Sequence, residues 1–484
     1  MKILLTMSRF EPNINPPLGI AYVAASLCKA GFDVEILDPS FDGKQYAIDR
    51  IRKADYDIIG FSCFTMNYNV SRELSALAKK ANKNVLRVFG GPHAIVVPEE
   101  TINDEEVDAI CLGEGETTFV ELAQALKKGR PLESVSGIWF KKGGKIVKNP
   151  VRTMICNLDE LPFPARDLLQ MDKYLNAKLG RAAWAVKQPS TTVMVGRGCP
   201  FNCTYCSTKL IFGKRVRLRS PKNVVDEIER LIKDYGIRGI AFIDDTFTIN
   251  KKVVEAICEE LIRRKIEIEW ACNSRIDTIS PELLKIMKKA GCTYITFGVE
   301  SGNQVVLDKF IKKGIKLEKV RDVFRWAKKA GIKTGAYFLL GIPGETLENM
   351  QETIDFAIKV NPDVVNFNMV RPLPKTEMYY LAEKFGRVTA KGWDDFNFDA
   401  KPIFESRDWT SKQVEEMYHK AYRSFYFRPS FMAKQFFSIR NADDVKSIYH
   451  GLLMILKQVL LKRGRAQSKE SGGKKYGASC RNCC

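Results

Sequence analysis

Short apolar runs alternate with amphipathic stretches through the first part of the chain. Runs such as KILLTMS, DVEILD and DIIGFSCF are almost continuously hydrophobic, which is typical of parallel strands covered on both faces. The stretches between them, such as LGIAYVAASLCKAGF, carry apolar residues at helical spacing. We therefore predict a five-stranded, doubly wound, Rossmann-like α/β domain over residues 1–133.

Polar or glycine-rich turns follow these predicted strands, and they place candidate binding residues at one edge of the sheet. The turns are NPPLG (15–19), SCFT (62–65), GGPH (90–93) and GEGE (113–116). The carboxyl ends of parallel strands meet at a common edge, where doubly wound sheets bind their ligands.

The alternation of strand and helix patterns is interrupted after residue 133 and resumes at residue 190. GIWFKKGGKIVKN predicts a hairpin around Gly143–Gly144, and the prolines of LDELPFPARDLL predict a linker, so residues 134–189 form a connecting region. Six further strand–helix repeats over residues 190–384 predict a partial (β/α)6 barrel. Residues 385–484 are aromatic and helical in pattern, without a strand rhythm, and end in a basic tail.

Composition narrows the chemistry. The chain has 484 residues, enough for two or three domains, and it opens without a signal-peptide pattern, so we expect a cytoplasmic protein. Its 13 cysteines would then lie in a reducing compartment, which favours metal or redox chemistry over disulfides for any cluster. Six isolated cysteines are expected to be packed core thiols: Cys28, Cys63, Cys111, Cys258, Cys272 and Cys292.

One cluster stands apart, in GRGCPFNCTYCS (196–207), where Cys199, Cys203 and Cys206 follow the first predicted barrel strand. Structural zinc sites use four ligands, and the sequence offers no fourth cysteine or histidine nearby. Three thiolates on a four-iron cubane would leave one iron open to a small molecule.

This CxxxCxxC spacing, with Tyr205 before the third cysteine, resembles the signature of the radical S-adenosylmethionine (SAM) superfamily. The resemblance implies that the three cysteines hold a [4Fe-4S] cluster whose open iron binds SAM. One electron from a donor such as a flavodoxin or ferredoxin would then release a 5′-deoxyadenosyl radical. Tyr205 would lie against adenine.

The resemblance extends to later strands of the barrel. By this resemblance, IDDTF would bind the amino group of the methionine part of SAM, and NSRID would bind its carboxylate. GVESG would bind the ribose, and LLGIPGE would contact the adenine. The implied SAM-binding residues are Asp244, Asp245, Arg275, Glu300, Gly341 and Pro343. Helix caps, a surface ion pair and a plain turn remain the alternatives for these positions.

A doubly wound domain before such a barrel resembles the cobalamin-binding subclass of the superfamily. The residues that would cradle cobalamin lie in the edge turns: Pro17, Leu18, Ser62, Gly90, Gly91, Gly113, Glu114 and Gly115. The loop SRFEPNINPPLG lacks the Asp-x-His-x-x-Gly motif that supplies a cobalt ligand in many cobalamin domains. His93 is interpreted as a hydrogen-bonded loop histidine, and a domain that has lost cobalamin stays an alternative.

The function implied is cobalamin-dependent methyl transfer to an unactivated carbon of a small-molecule or lipid-like substrate. The alternatives are a cyclase or oxidative enzyme of the anaerobic magnesium-protoporphyrin ester cyclase type, a tRNA-modifying enzyme, and a non-catalytic cobalamin or redox sensor. The extra cluster cysteines and terminal β-barrel of the tRNA methylthiotransferase branch are not visible in this sequence, so nucleic acid is not an expected partner.

The carboxyl-terminal region carries much of the positive charge. The net charge is +20, and from Met417 onward 14 basic residues face three acidic ones. Residues 415–437 predict a helix packed over the barrel mouth, and the amphipathic segment 444–465 suggests peripheral contact with a membrane surface. Cys480, Cys483 and Cys484 end the chain on a tail that favours no defined metal site.

Overall fold

The computed structural model describes residues 1–10, 15–53, 55–177, 186–397, 401–437, 451–453 and 455–456. Most of the segment 444–465, and all of Cys480, Cys483 and Cys484, lie outside the described residues. Within the described part of the chain, no helix is long and apolar enough to cross a membrane.

The first sheet has seven strands in the order β2-β1-β3-β4-β5-β6-β7. Its strands are β1 (Lys2–Thr6), β2 (Asp33–Leu37), β3 (Ile58–Ser62), β4 (Leu86–Gly90), β5 (Ala109–Cys111), β6 (Ile138–Lys142) and β7 (Lys145–Lys148). The helices that cover it are α1 (Leu18–Lys29), α2 (Gly43–Lys53), α3 (Tyr68–Ala81), α4 (Pro92–Val96), α5 (Pro98–Asn103) and α6 (Gly115–Lys127).

Strands β1 to β5 are parallel, and two apolar layers pack against their two faces. The strand order reverses between β1 and β3, which creates the crevice where doubly wound sheets bind ligands. The five predicted strands are therefore present. The predicted hairpin also forms, but it pairs antiparallel with β5 and extends this sheet rather than standing alone in a linker.

The second sheet has six parallel strands in the order β15-β14-β13-β12-β11-β8 and forms the predicted partial barrel. Between the sheets lies α7 (Met171–Asn176). The barrel strands are β8 (Ser190–Val193), β11 (Gly239–Phe242), β12 (Glu269–Ser274), β13 (Cys292–Glu300), β14 (Lys333–Leu340) and β15 (Val364–Met369), with a separate two-stranded pair β9 (Gly196–Arg197) and β10 (Arg217–Leu218). The helices of this region are α8 (Thr208–Ile211), α9 (Pro221–Tyr235), α10 (Lys251–Arg263), α11 (Pro281–Lys289), α12 (Leu317–Lys329), α13 (Leu347–Val360) and α14 (Glu377–Phe385).

The carboxyl-terminal region covers the open edge of the barrel. It contains β16 (Gly386–Val388), β17 (Phe404–Ser406), α15 (Ser411–Tyr426) and α16 (Pro429–Phe437). The hydroxyl of Tyr426 donates to the carbonyl of Val365 at 2.7 Å and accepts from its N–H at 2.9 Å, so α15 satisfies backbone groups of edge strand β15. The antiparallel pair β16–β17 was not predicted.

Five of the six cysteines expected in the core are buried, whereas Cys28 is exposed at the end of α1. The expectation for Cys28 was therefore wrong: its helix is amphipathic, and the apolar neighbours around this residue in sequence face the other side.

Candidate active site

The three-cysteine loop begins directly after the first barrel strand. Gly196 and Arg197 pair antiparallel with β10, which folds the chain back beside the loop. Gly198 has a φ of +90°, and a Cβ at this position would stand 2.4 Å from the carbonyl oxygen of Arg215. Only glycine fits such a close approach of two backbones, so the fold requires a glycine at position 198, where the loop begins.

The three thiols are neighbours. Cys203 is buried, whereas Cys199 and Cys206 are half-buried. Burial raises the pKa of Cys199 and of Cys206, and the nearby Asp245 carboxylate adds to both rises. Cys206 further raises the pKa of Cys199, and Cys203 that of Cys206, as closely spaced thiols do.

No three His, Cys, Asp or Glu side chains of the described residues converge tightly enough to hold a single metal ion. A four-iron cubane is larger than one ion, and it takes its thiolates at separate corners. Three neighbouring thiols on one loop, with the buried guanidinium of Arg275 beside Cys203, are a donor set that fits such a cluster. Their role as ligands stays a prediction.

The two aspartates of IDDTF have different surroundings. The buried carboxylate of Asp244 accepts hydrogen bonds from the N–H groups of Gly196 at 2.6 Å and Val195 at 3.1 Å. Burial raises its pKa to about 7, and Asp245 adds to the rise. Asp245 is exposed and, among the described residues, accepts a hydrogen bond only from the hydroxyl of Thr208, at 3.0 Å. Asp244 therefore fixes the strand leading into the cysteine loop, and Asp245 is the carboxylate open to a ligand.

A buried triad joins the cysteine loop to the end of β13. The hydroxyl of Tyr205 donates to Oε1 of Glu300 at 2.8 Å, and Nζ of Lys313 donates to the same oxygen at 2.9 Å. Burial raises the pKa of Tyr205 well above its usual value, and the Glu300 charge adds to this. No hydrogen bond to Oε2 of Glu300 occurs among the described residues, which leaves that oxygen for a ligand hydroxyl.

Glu300 also has a strained backbone, with a φ of +73°. A non-glycine residue at such a φ is uncommon and clusters at functional sites. Lys313 was missed by the sequence reasoning because lysine is abundant in this chain, and nothing in the pattern IKKG indicates which of its two lysines is buried.

Arg275 lies beneath the cysteine loop with its guanidinium fully engaged. Its Nε and Nη2 donate to the two oxygens of Asp277 at 3.0 and 2.9 Å, and Nη2 also donates to the carbonyl of Lys313 at 2.7 Å. Its Nη1 stands 3.6 Å from Sγ of Cys203. The fork predicted for a methionine carboxylate is thus occupied by Asp277.

The LLGIPGE segment forms a tight loop after β14. Gly341 and Gly344 have φ values of +82° and +93°, which allow the turn. The buried carboxyl of Glu345 accepts from the N–H of Ile342 at 2.8 Å and of Gly341 at 2.5 Å, while its Oε2 has no partner in the described residues. Burial raises the pKa of Glu345 to about 8. Glu345, which the sequence reasoning did not single out, holds the loop that carries Gly341 and Pro343.

The edge turns of the first sheet meet at the carboxyl ends of its strands. Pro17 and Leu18 are buried where α1 begins, and Ser62, Gly90, Gly91, Gly113 and Gly115 are half-buried. A Cβ on Gly91 would come within 3.0 Å of the backbone of Cys63, whereas one on Gly113 would meet no atom of the described residues within 4 Å. The turns after β3 and β4 are thus tightly packed together, and open space lies beside the turn after β5, which fits a bound cofactor there.

Glu114 does not face that open space. Its buried carboxylate accepts from Arg197 at 2.8 Å, from Arg217 at 2.7 Å and from the N–H of Ile155 at 2.7 Å. Although burial opposes it, these hydrogen bonds hold the pKa of Glu114 below its usual value. The carboxylate predicted to cradle cobalamin instead joins the first domain to the barrel.

His93 is completely buried at the same edge. Its Nδ1 lies 3.2 Å from the hydroxyl of Thr65, so the expected hydrogen bond is present, but the residue lies in the short helix α4 rather than in a loop. Its ring packs between Tyr68 and Trp393. Burial lowers its pKa to about 3, so the ring is neutral. Its Nε2 has no hydrogen-bond partner among the described residues.

Two family models match the chain. The model of the radical SAM superfamily covers residues 193–357, and that of the B12 binding domain covers residues 12–123. The chain belongs to the radical SAM superfamily. The B12 binding domain places it in the cobalamin-binding subclass, which confirms the resemblance noted from the cysteine loop and the edge turns.

Relatives agree with this membership. The chain is 37% identical to an uncharacterized methyltransferase of Pyrococcus horikoshii over 468 residues, which is 95% of this chain and 99% of that protein. It is 31% identical to the anaerobic magnesium-protoporphyrin IX monomethyl ester cyclase of Cereibacter sphaeroides over 85% of this chain and 67% of that enzyme.

Solved structures confirm the fold. The cobalamin-dependent SAM radical enzyme OxsB aligns with a TM-score of 0.74 and 20% identity over 94% of this chain and 70% of its own. The radical SAM methyltransferase TsrM of Kitasatospora setae aligns with a TM-score of 0.67 and 20% identity over 81% of this chain and 76% of its own. The radical SAM protein described here is an enzyme, and its cofactors are a [4Fe-4S] cluster, SAM and cobalamin.

Proposed function

We propose that this radical SAM enzyme methylates an unactivated carbon of a small-molecule substrate, with cobalamin as the methyl carrier. The observation that carries the proposal is the match, over nearly the full length of both chains, to a protein named as a methyltransferase. The layout supports it, because buried ion pairs join the cobalamin-binding edge of the first sheet to the entry of the cysteine loop.

The residues that would hold the cluster are Cys199, Cys203 and Cys206. When bound, the cluster and SAM together supply a carbon radical, and cobalamin supplies the methyl group. The chain's own task is to orient these cofactors and to exclude water from the radical. Asp244 serves this task by holding the backbone at Val195 and Gly196, just before the first cysteine.

We assign the SAM-binding roles to those predicted residues that have polar atoms not already bound by other groups of the described chain. Asp245 suits the methionine amino group because its exposed carboxylate lies beside Cys199 and Cys206. Glu300 suits a ribose hydroxyl through Oε2, while Tyr205 and Lys313 fix its other oxygen. The turn at Gly341 and Pro343, held by Glu345, presents backbone groups to adenine.

The cobalamin would lie on the edge turns, with open space beside Gly113. A Cβ on Gly91 or Gly115 would stand 3.0 Å from a neighbouring atom, and Gly90 lies beside Cys111, so these glycines would form the packed side of the cradle. Pro17, Leu18 and Ser62 complete the cradle, and Glu114 contributes backbone rather than its carboxylate. A flavodoxin or ferredoxin is the proposed one-electron donor.

A lipid-like substrate is the finer part of the proposal. Helix α16 exposes Met432, Phe436 and Phe437, with 55%, 71% and 82% of their surfaces in contact with solvent. Such a patch beside a strongly basic sequence suits an apolar substrate or an anionic lipid surface. Flotation with vesicles that contain phosphatidylglycerol would test this, with loss of binding expected for a Phe436→Ser, Phe437→Ser variant.

The function is tested by anaerobic reconstitution with iron, sulfide, cobalamin and SAM, followed by reduction. Chromatography should detect 5′-deoxyadenosine and, only when cobalamin is present, S-adenosylhomocysteine. Deoxyadenosine without S-adenosylhomocysteine would instead indicate a cyclase or oxidative enzyme, and corrin binding without either product would indicate a sensor.

A further inference from the structure

We propose that Arg275 raises the reduction potential of the iron–sulfur cluster by holding a guanidinium against Cys203. The inference rests on the proposed cluster ligation by Cys203, and it gives Arg275 a role other than binding the methionine carboxylate. Arg275 is a positioning residue in this account, because it acts on the cluster through a ligand.

The contact is close and enclosed. Nη1 of Arg275 stands 3.6 Å from Sγ of Cys203, and the guanidinium carbon lies 3.5 Å from the ring centroid of Phe201, within the same cysteine loop. The Arg275 side chain is 5% exposed. The cation is therefore sandwiched under the loop, where water screens its field only weakly.

The rest of the guanidinium is fixed, so it has no fork left to offer a ligand. Nε and Nη2 bind both oxygens of Asp277, and Nη2 also binds the carbonyl of Lys313. The carbonyl of Lys313 thus links this group to the Tyr205–Glu300–Lys313 triad. A planar, doubly anchored guanidinium keeps Nη1 aimed at the sulfur with little loss of side-chain entropy on cluster binding.

The counter-charge does not cancel the effect. The carboxylate of Asp277 is 33% exposed, so solvent screens it, whereas the guanidinium beside Cys203 is almost dry. The guanidinium therefore contributes a positive electrostatic potential at the Cys203 sulfur that is screened less than the negative potential of the Asp277 carboxylate. Arginine stays protonated in proteins, so this field does not depend on pH in the working range.

Reduction adds one electron from the donor to the cluster and makes the cluster and its thiolates more negative by one charge. A hydrogen bond and a cation at a ligand sulfur stabilise that added charge, and hydrogen bonds to the sulfurs are among the factors that set cluster potentials. Arg275 therefore makes the cluster easier to reduce by a protein donor.

The test is a redox titration of the reconstituted full-length enzyme, monitored by electron paramagnetic resonance and without SAM or substrate. Arg275→Met should lower the potential so that, at a fixed solution potential, the ratio of reduced to oxidised cluster falls about tenfold, or about 59 mV for one electron. Arg275→Lys keeps the charge but loses the forked geometry of the guanidinium, so its reduction potential should lie between those of wild type and Arg275→Met. The matched control is Arg87→Met, which removes a buried arginine that forks on Asp108 in the first domain, and it should leave the potential unchanged.

Asp277→Asn provides an opposite-sign test if Arg275→Met does not fold. Removing that carboxylate should raise the potential, but by less than Arg275→Met lowers it, because solvent partly screens the Asp277 charge. An unchanged potential in a fully loaded Arg275→Met or Asp277→Asn enzyme would overturn the proposal. If Arg275→Met also bound SAM more weakly, that result would assign Arg275 to the methionine carboxylate instead. The potential is measured without turnover, so the outcome is independent of whether methyl transfer is the reaction.

Discussion

The carboxylate of Glu114 accepts a hydrogen bond from Nη1 of Arg197 at 2.8 Å, two residues before the first cysteine of the loop. Both side chains are 5% exposed or less. Arg217 binds the same carboxylate, and the neighbouring Glu116 binds Nη2 of Arg197. One buried network of two acids and two arginines therefore fixes the turn after β5 of the first domain against the entry of the cysteine loop.

Glu114→Gln should destabilise the enzyme strongly, because two buried arginines lose a shared counter-charge. Breaking a buried ion pair from one side costs about 3–5 kcal/mol. We expect a loss in this range in the free energy of unfolding, measured by urea denaturation. Glu121→Gln is the control, since its pair with Arg152 is more exposed, and it should cost less than about 1 kcal/mol. Equal effects of the two variants would show that the Glu114 network does not hold the domains together.

Lys313→Met should weaken SAM binding. The amine of Lys313 fixes the Glu300 oxygen shared with Tyr205, and a hydrogen bond to a charged group contributes about 1.5–3 kcal/mol, so we expect a loss of roughly tenfold or more. Equilibrium dialysis with the reconstituted enzyme measures this. Lys312→Met is the matched control, because its amine pairs with Glu377 on the surface. The triad has no role in SAM binding if both variants retain wild-type affinity.

Substitutions of Asp244 and Asp245 should affect different properties, thermal stability for Asp244 and SAM affinity for Asp245. Asp245→Asn removes an exposed carboxylate that we assign to the methionine amino group, so SAM affinity should fall about tenfold while the melting temperature stays unchanged. Asp244→Asn puts an amide NH2 group in place of one of the two oxygens that accept from the N–H groups of Val195 and Gly196, and it should lower the melting temperature. Thermal unfolding and SAM dialysis on both variants check this, and a reversed pattern would exchange the two roles.

Glu345 should make stability depend on pH. Burial raises its folded pKa from 4.5 to about 8, so the folded state retains a proton that the unfolded state releases. Its contribution is complete below about pH 4.5 and is lost as the pH rises through 8, with a slope of up to about 1.4 kcal/mol per pH unit. Glu345→Gln should therefore gain stability relative to wild type as the pH rises from 5 to 9 in urea titrations.

The exposed Glu383 gives the control for that pH series. Glu383→Gln should track wild type at every pH. A constant difference between Glu345→Gln and wild type would mean that Glu345 is ionised in the folded enzyme across the range.

The elements that the sequence predicted well are those with strong periodic signals. The parallel strands β1 to β5 are mostly apolar runs, and the six barrel strands alternate regularly with helices, so both sheets could be predicted. The pair β16–β17 was missed because each strand has only three residues, too few to show alternation.

The candidate site was predictable by position but not by orientation. Glu114, Arg275 and Asp244 lie where the motifs place them. The carboxylates of Glu114 and Asp244 are bound by groups far along the chain, whereas the guanidinium of Arg275 is bound by Asp277, two residues away. Lys313 and Glu345 carry no local pattern that separates them from surface residues. The pairing of Glu114 depends on how the two domains pack, and that of Lys313 on how the end of β13 packs against the cysteine loop, which no single stretch of sequence encodes.

The most direct test of the account is formation of 5′-deoxyadenosine by the anaerobically reconstituted, dithionite-reduced enzyme and by its Cys203→Ala variant. The exposed Cys156 supplies the control Cys156→Ala. We predict that wild type and Cys156→Ala release 5′-deoxyadenosine from SAM and that Cys203→Ala releases none. Release of the nucleoside by Cys203→Ala at the wild-type rate, or by none of the three proteins, would contradict a radical SAM centre at this loop.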